Sequence, residues 1–383
     1  MVNVKKKIVF ILASRGNYAK LKNLILLCSE SKKFNVHVVV SGQLVLDKYS
    51  KIILKDLKKS FTYHHEIYFQ VEGENNLTML KSCSLAMTEV SSIFYKIKPD
   101  LVVVLADRFE TLAFAAAASF LNIKLAHLEG GEESGSIDNK IRHAVTMMSD
   151  IHFPCTQKSE KFIIKMIGKQ TNVYNVGCTS FDEIKKLNIN NIDFFETFKS
   201  SHGVGANIKL EKKKYVIFAL HPVTTNYSEN ETNINECLIA LTKINIPIIF
   251  LWPNIDAGSD LISKAIRQFR EKNTNKNIFF VKSISIEYFA PLLNNCSCII
   301  GNSSTGLRES SFLGIPSVNI GERQLNRERA SNVLDINFDY KKILKAVKIQ
   351  LKKKYKPSSL YGSGDSSKKI VKFLIKYFEN EKI

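Results

Sequence analysis

Short apolar runs alternate along this chain with longer stretches whose apolar positions recur at helical spacing, the pattern of parallel strands covered by helices. In the first half, Ile8–Leu12, Val36–Val40, Leu101–Leu105 and Lys124–Leu128 predict strands, with later ones at Ile151–Phe153 and Val173–Val176. Helices are expected at Tyr18–Cys28, Leu77–Tyr95, Glu110–Leu121 and Ile137–Met148. From about Asn188 to Lys214 the chain turns Asn- and Lys-rich without a clear strand, which marks an interdomain region. The alternation resumes with strands at Tyr215–Leu220, Ile246–Trp252, Ile278–Val281, Cys298–Gly301 and Ser317–Ile320, and closes on an amphipathic segment, Ser367–Phe378. The expected fold is α/β, with two Rossmann-like, doubly wound parallel-sheet domains facing each other across a cleft.

A length of 383 residues suits two domains, and 45% apolar residues give each a core. No run approaches the ~20 apolar residues that a bilayer span needs, so no membrane partner is expected. Lys5–Lys7 before an apolar stretch mimics a signal peptide. The stretch is short, however, and enters Ser14-Arg15-Gly16-Asn17 with no small-residue cleavage site, so a first buried strand in a cytoplasmic protein is expected. Seven scattered cysteines without paired spacing predict buried thiols, with neither disulfides nor a metal site. The formal charge of +19 invites a nucleic-acid partner. But the excess is mostly Lys in short clusters without interleaved aromatics, which predicts a solvated surface and no nucleic-acid binding.

Ligands of doubly wound sheets sit beyond the carboxyl ends of the strands, and this filters the polar residues. Leu101–Leu105 runs into Ala106-Asp107-Arg108, and Lys124–Leu128 into Glu129-Gly130-Gly131. Asp138 follows, with Arg142 one helical turn on and able to pair with it. Asp107, Glu129 and Asp138 are thus placed to converge on one crevice, where crowding should raise at least one pKa and equip the set for proton transfer. Alternatively, Asp138 caps a helix, and Asp107 pairs with Arg108 or Arg142. In the second half, Gly301-Asn302-Ser303-Ser304-Thr305-Gly306 before a helical stretch suits a phosphate or a plain helix start. Glu309 is either a dipole-matched residue or a ribose ligand. His221, Asn254 and Arg323 follow later strands, and Arg15 follows the first.

Together these segments closely resemble the hydrolysing UDP-N-acetylglucosamine 2-epimerases, which include bacterial sialic-acid pathway enzymes and half of an animal bifunctional enzyme. The resemblance is carried by His127–Asp138 (HLEGGEESGSID) with Arg142-His143, by HPVTT from His221, PNIDAGS from Pro253, GNSSTGLRE from Gly301, GERQLNR from Gly321, and the late Leu360–Gly364. It implies a GT-B type fold. An N-terminal domain over residues 1–190 carries the carboxylates, a UDP-binding domain spans 205–365, and a C-terminal helix over 366–383 returns to the first. It also implies elimination of UDP to a 2-acetamidoglycal and rehydration with inversion at C2. Asp107, Glu129 and Asp138 would be the acid/base set. Arg15, Arg108, Arg142, His143, His221, Asn254, Ser303, Ser304, Glu309 and Arg323 would bind the UDP-sugar.

The proton at C2 leaves as a proton, so no redox cofactor is implied, and a homodimer or homotetramer is expected. The chain departs from the family pattern at Ala106, usually Gly, at Gly16-Asn17, usually Ala-Asp, at Ala19, where the animal enzymes have a hydroxyl, and at Met147, commonly Lys. The sugar stays open between UDP-GlcNAc and a UDP-2,4-diacetamido-trideoxyhexose of the legionaminic-acid route. A non-hydrolysing epimerase and a glycosyltransferase using a UDP-sugar on the same fold are the rival activities.

Overall fold

A computed structural model of the chain describes residues 5–46, 64–73, 75–254, 256–272, 277–282 and 284–380. In chain order the first half contains β1 (Lys6–Leu12), α1 (Arg15–Glu30), β2 (Phe34–Val40), β3 (His64–Glu66), α2 (Asn76–Ile97), β4 (Leu101–Leu105), α3 (Phe109–Phe120), β5 (Lys124–Leu128), α4 (Asp138–Met148), β6 (Ile151–Phe153), α5 (Gln157–Ile167) and α6 (Ser180–Ile184). The second contains α7 (Phe195–His202), β7 (Gly203–Gly205), β8 (Val216–Ala219), α8 (Asn230–Thr242), β9 (Ile248–Leu251), α9 (Ser259–Lys272), β10 (Ile278–Val281), α10 (Ile286–Asn295), β11 (Cys298–Gly301), α11 (Glu309–Leu313), β12 (Ser317–Ile320), β13 (Val333–Ile336), α12 (Tyr340–Gln350) and α13 (Ser366–Asn380).

The first sheet is ordered β3-β2-β1-β4-β5-β6 and the second β13-β12-β11-β8-β9-β10-β7. Both follow the doubly wound order, with the crossover between β1 and β4 in one and between β8 and β11 in the other. The strands before Arg15, Asp107, His221 and Ser303 flank the two switch points, and those before Glu129, Asn254 and Arg323 lie one strand farther out. Central strands are covered on both faces and read as unbroken apolar runs: Ile8–Phe10, Leu101–Leu105 and Val216–Phe218 are each at most 3% exposed. Helices start where side chains accept the first free N–H groups, as Ser14 does from Asn17 and Asn75 from Leu77 and Thr78.

Two predicted features differ. Val173–Val176 is not a strand. It touches β6 through a bridge from Val173 to His152, and Pro154 has no N–H with which to extend a ladder. The stretch expected to join the domains is folded onto the second one. Phe195 and Phe198 of α7 are buried in its core, and β7 pairs antiparallel with β10, Val204 opposite Phe280. Gly-Val-Gly carries no alternation to reveal a strand; the open edge of β10 makes it one. The edge strands β3 and β13 were likewise silent in the sequence.

The terminal helix α13 returns to the first domain, where Ile370, Leu374 and Phe378 share a core with Phe34, Val38 and Leu24. Its path runs through Gly362, at φ 109°, where an added Cβ would lie 2.7 Å from the Cα of Gly177. This close crossing explains the late Leu-Tyr-Gly-x-Gly segment. The buried Asp182 of α6 then accepts the N–H groups of Ser366 and Ser367 at 2.9 and 2.6 Å. Asp182→Ala should cost about 1–2 kcal/mol, the range of a lost charged helix cap, measured as a lower urea midpoint with the m-value unchanged.

Candidate active site

Immediately after β4, Ala106 adopts φ 60°, a left-handed conformation that costs a residue with a Cβ roughly 1–2 kcal/mol. That conformation explains the glycine usual at this position in the family the sequence resembles. His127 of β5 holds the strained peptide. Its Nε2–H donates to the Ala106 carbonyl at 2.9 Å, and Nδ1 accepts from the Thr146 hydroxyl at 3.1 Å. Burial lowers the His127 pKa to about 4, so the ring stays neutral and keeps this tautomer. The turn delivers Asp107 and Arg108 to a cavity of about 910 Å³ between the domains. Glu129 also has positive φ, 62°, after β5, and Gly131 follows at 78° with its Cα against the Ser159 carbonyl, where a Cβ would stand 2.4 Å away.

The three predicted carboxylates do come together, lining one small recess with Lys20, Arg308, Arg323 and Arg327. Their charge states diverge. Asp107 is ion-paired with Arg142 and, at 3.2 Å, with Arg327, and these guanidiniums hold it well below the usual carboxylate range despite burial. Glu129 is held low in the same way by Arg308 and Lys20, the latter at 2.7 Å. Asp138 has a weaker partner, Arg323 at 3.8 Å, and burial together with the charge of Asp107 pushes its pKa up to about 6. One acid of the set therefore exchanges its proton near neutrality while its neighbours stay ionised, the separation that acid/base chemistry uses.

The opposite wall comes from the second domain. Ser303, Ser304, Glu309, His221, Asn254 and Arg323 all line the large cavity. Ser303 caps a short 3-10 turn by accepting the Thr305 N–H. One oxygen of Glu309 accepts from Ser180 at 2.8 Å; the other is buried without a hydrogen bond, free for a hydroxyl of a ligand. His221 Nδ1 accepts the Asn254 N–H at 3.3 Å. Arg108 crosses the gap to Asp256 at 2.8 Å.

Two predicted residues lie elsewhere. His143 is not on the cavity: it is one position past Arg142 on α4, about 100° round the helix, and it packs against Phe162 at 5.1 Å between ring centres. Arg142 is fully buried behind the site, bonded to Asp107, Ser134 and the Glu132 carbonyl, so it orients a carboxylate and does not face a ligand. It pairs with Asp107 instead of Asp138, although α4 does begin at Asp138. The side chain of Arg15 lies outside the described residues.

The sequence filter missed Lys20, Glu132, Arg308 and Arg327. Arg308 spans the domain boundary to both Glu129 and Glu132, and Arg327 reaches Glu132 at 2.8 Å as well as Asp107. All four stand four to eight residues past a strand end, where distance along the chain alone does not single them out. Arg308 and Arg327 were nonetheless inside two of the resemblance segments. All seven cysteines are unpaired, six of them buried. Cys155 and Cys178 lie beside Glu129, to which the Cys178 thiol donates at 3.3 Å. Among the described residues no helix is long and apolar enough to cross a membrane.

Comparison with known proteins is consistent across the chain. The profile of the UDP-N-acetylglucosamine 2-epimerase family matches residues 27–375. A Campylobacter jejuni protein named GDP/UDP-N,N'-diacetylbacillosamine 2-epimerase (hydrolyzing) is 31% identical over 86% of this chain and 84% of its own. A Legionella pneumophila protein named UDP-N,N'-diacetylbacillosamine 2-epimerase (hydrolyzing) is 29% identical over 96% of this chain and 95% of its own. The fold matches that of the Methanocaldococcus jannaschii UDP-GlcNAc 2-epimerase, solved in complex with UDP-GlcNAc and UDP, with a TM-score of 0.79, 21% identity and coverage of 97% and 99%.

Arg308→Leu leaves Glu129 and Glu132 buried with only Lys20 and Arg327 to balance them, and should lower stability at pH 7 by about 3–5 kcal/mol. The depressed carboxylates contribute stability above their unfolded pKa values near 4, and that contribution is lost as pH falls through their lower folded values. Stability followed by denaturation from pH 7 to 3 should therefore fall steeply below about pH 4 in the wild type and less steeply in Arg308→Leu.

Proposed function

The chain belongs to the UDP-N-acetylglucosamine 2-epimerase family, and from that premise we propose that it hydrolyses a UDP-2-acetamido sugar to UDP and the free 2-epimer, in nonulosonic acid biosynthesis. The observation that carries this reading is the pairing of Asp107 and Asp138 on one interdomain cavity, the first held ionised and the second titrating near pH 6. The hydrolytic outcome is further supported by the two relatives whose names specify it.

In the first step the C1–O bond breaks and UDP takes the electron pair. Developing positive charge at C1 acidifies the C2–H, so a carboxylate as weakly basic as Asp107 suffices to take that proton. C1 and C2 then share a double bond, giving the 2-acetamidoglycal. Arg323, Lys20 and Arg108 stand on the same walls, cations for a departing diphosphate. In the second step the water oxygen bonds to C1 and its proton passes to solvent, while Asp138, protonated, delivers a proton to C2 from the other face; Asp107 then gives up its proton to solvent and Asp138 regains one from it. Glu129, pinned by Arg308 and Lys20, holds the local charge balance. Ser303, Ser304, His221 and Asn254 form the UDP cradle, and the free oxygen of Glu309 receives a ribose hydroxyl. We place the reaction in the cytoplasm, where UDP-sugars are made. Tyr95, Leu80 and Leu77, each at least 60% exposed on α2, support self-association as a homo-oligomer.

Incubation with a UDP-sugar in deuterated water should give UDP and a free sugar deuterated at C2; a lasting UDP-linked 2-epimer would assign the non-hydrolysing reaction instead. Because the two steps use different acids, the variants should part. Asp107→Asn should slow UDP release by about 10²–10⁴-fold. Asp138→Asn should still release UDP and leak the glycal, detectable by NMR. Equal loss of UDP release in both would refute the assignment. If Asp138 must carry a proton, epimer formation should decline as pH rises above about 6, while UDP release does not.

A further inference from the structure

Several polar side chains on this cavity are used by neither step, Gln43 among them. Gln43 follows β2 at the carboxyl end of the first sheet, in a 3-10 turn over Gly42–Val45. It is 2% exposed and lines the interdomain cavity, yet among the described residues nothing hydrogen-bonds its carboxamide. Its backbone is fixed, because its N–H donates to the Ala13 carbonyl at 3.0 Å. An amide on a cavity wall can offer both a donor and an acceptor to a ligand.

Its neighbours are apolar. A Cβ on Gly42 would lie 3.4 Å from the Phe69 ring, and Phe69 packs edge-on against Phe109 at 6.5 Å. The Phe109 carbonyl accepts from the Cys83 thiol, one turn along α2 from Met79. Gln43, Met79 and Phe109 therefore form one patch of the cavity wall, with Phe109 two residues beyond Asp107.

The chemistry of a pyranose says what meets that patch. C1 carries the diphosphate, and C4 lies across the ring from C1. With UDP on the second domain and C2 at Asp107 and Asp138, the C4 edge points away from UDP into the wall of the first domain. From this juxtaposition we propose that Gln43, Met79 and Phe109 form the subsite that reads the sugar's 4-substituent, selecting an acetamido group over a hydroxyl. The carboxamide offers a donor and an acceptor to the N–H and C=O of a 4-acetamido group. Met79 and Phe109 cover its methyl and the C6 methyl of a 6-deoxy sugar. A hexose would set its 4- and 6-hydroxyls against apolar atoms instead.

This rests on the UDP-sugar reading above, and the test separates the two. Initial rates of UDP release are measured for UDP-2,4-diacetamido-2,4,6-trideoxyglucose and for UDP-GlcNAc, with wild type, Gln43→Leu and Met79→Gln. The wild type should favour the diacetamido sugar. Gln43→Leu should lower kcat/KM for it by about 10–100-fold while changing UDP-GlcNAc turnover by less than about 3-fold. Met79→Gln, at a half-buried position that tolerates a polar residue, should narrow the preference and keeps the test open should Gln43→Leu fold poorly. Equal losses on both sugars would mean that Gln43 reads the shared 2-acetamido group or serves structure, and would overturn the proposal. So would a wild-type preference for UDP-GlcNAc, or a ratio unmoved in both variants. Release of UDP from neither sugar by the wild type would defeat the UDP-sugar reading itself.

Discussion

Charge balance across the domain boundary is the constraint on which the site depends. Glu129, Glu132 and Asp107 are drawn from loops of the first domain, and Arg308 and Arg327 reach them from the second. Buried ions of this kind are tolerated only when their partners are in place, since an unpaired one is far more costly than the pair. The same contacts therefore close the cleft and set the charge state of the acids within it. The candidate acids and the domain clasp are one network.

That economy has a chemical consequence. With guanidiniums committed to Asp107 and Glu129, Asp138 is left with a distant cation and a close like charge, and its pKa moves the other way. The separation of the acids is produced by how unevenly five cations, Lys20, Arg142, Arg308, Arg323 and Arg327, are shared among them. Binding a diphosphate next to Arg323 would draw that cation off and raise Asp138 further.

Backbone strain places the acids. Both loops that present them pass through left-handed conformations at non-glycine residues, Ala106 and Glu129, each immediately after a central strand. The neutral His127 and Thr146 pair holds the first of these from behind. Strain of this sort persists where the surrounding structure over-determines it, and sites are where it gathers.

The sequence by itself determined the layers and the outline of the site. Apolar runs marked the buried central strands to within a residue or two, and the rule that ligands sit past strand ends picked out Asp107, Glu129, Asp138 and the Ser303-Ser304 turn. These follow from local periodicity and short-range connectivity, which the order of residues encodes directly. Tertiary structure decided the rest. It made Gly203–Gly205 a strand by offering it the edge of β10, and it turned His143 toward Phe162 and off the cavity. It gave Arg142 to Asp107, and it brought Arg308 and Arg327 across a domain boundary to acids some two hundred positions away in the chain. Pairings at that separation depend on how two sheets face each other, and no local pattern carries that information.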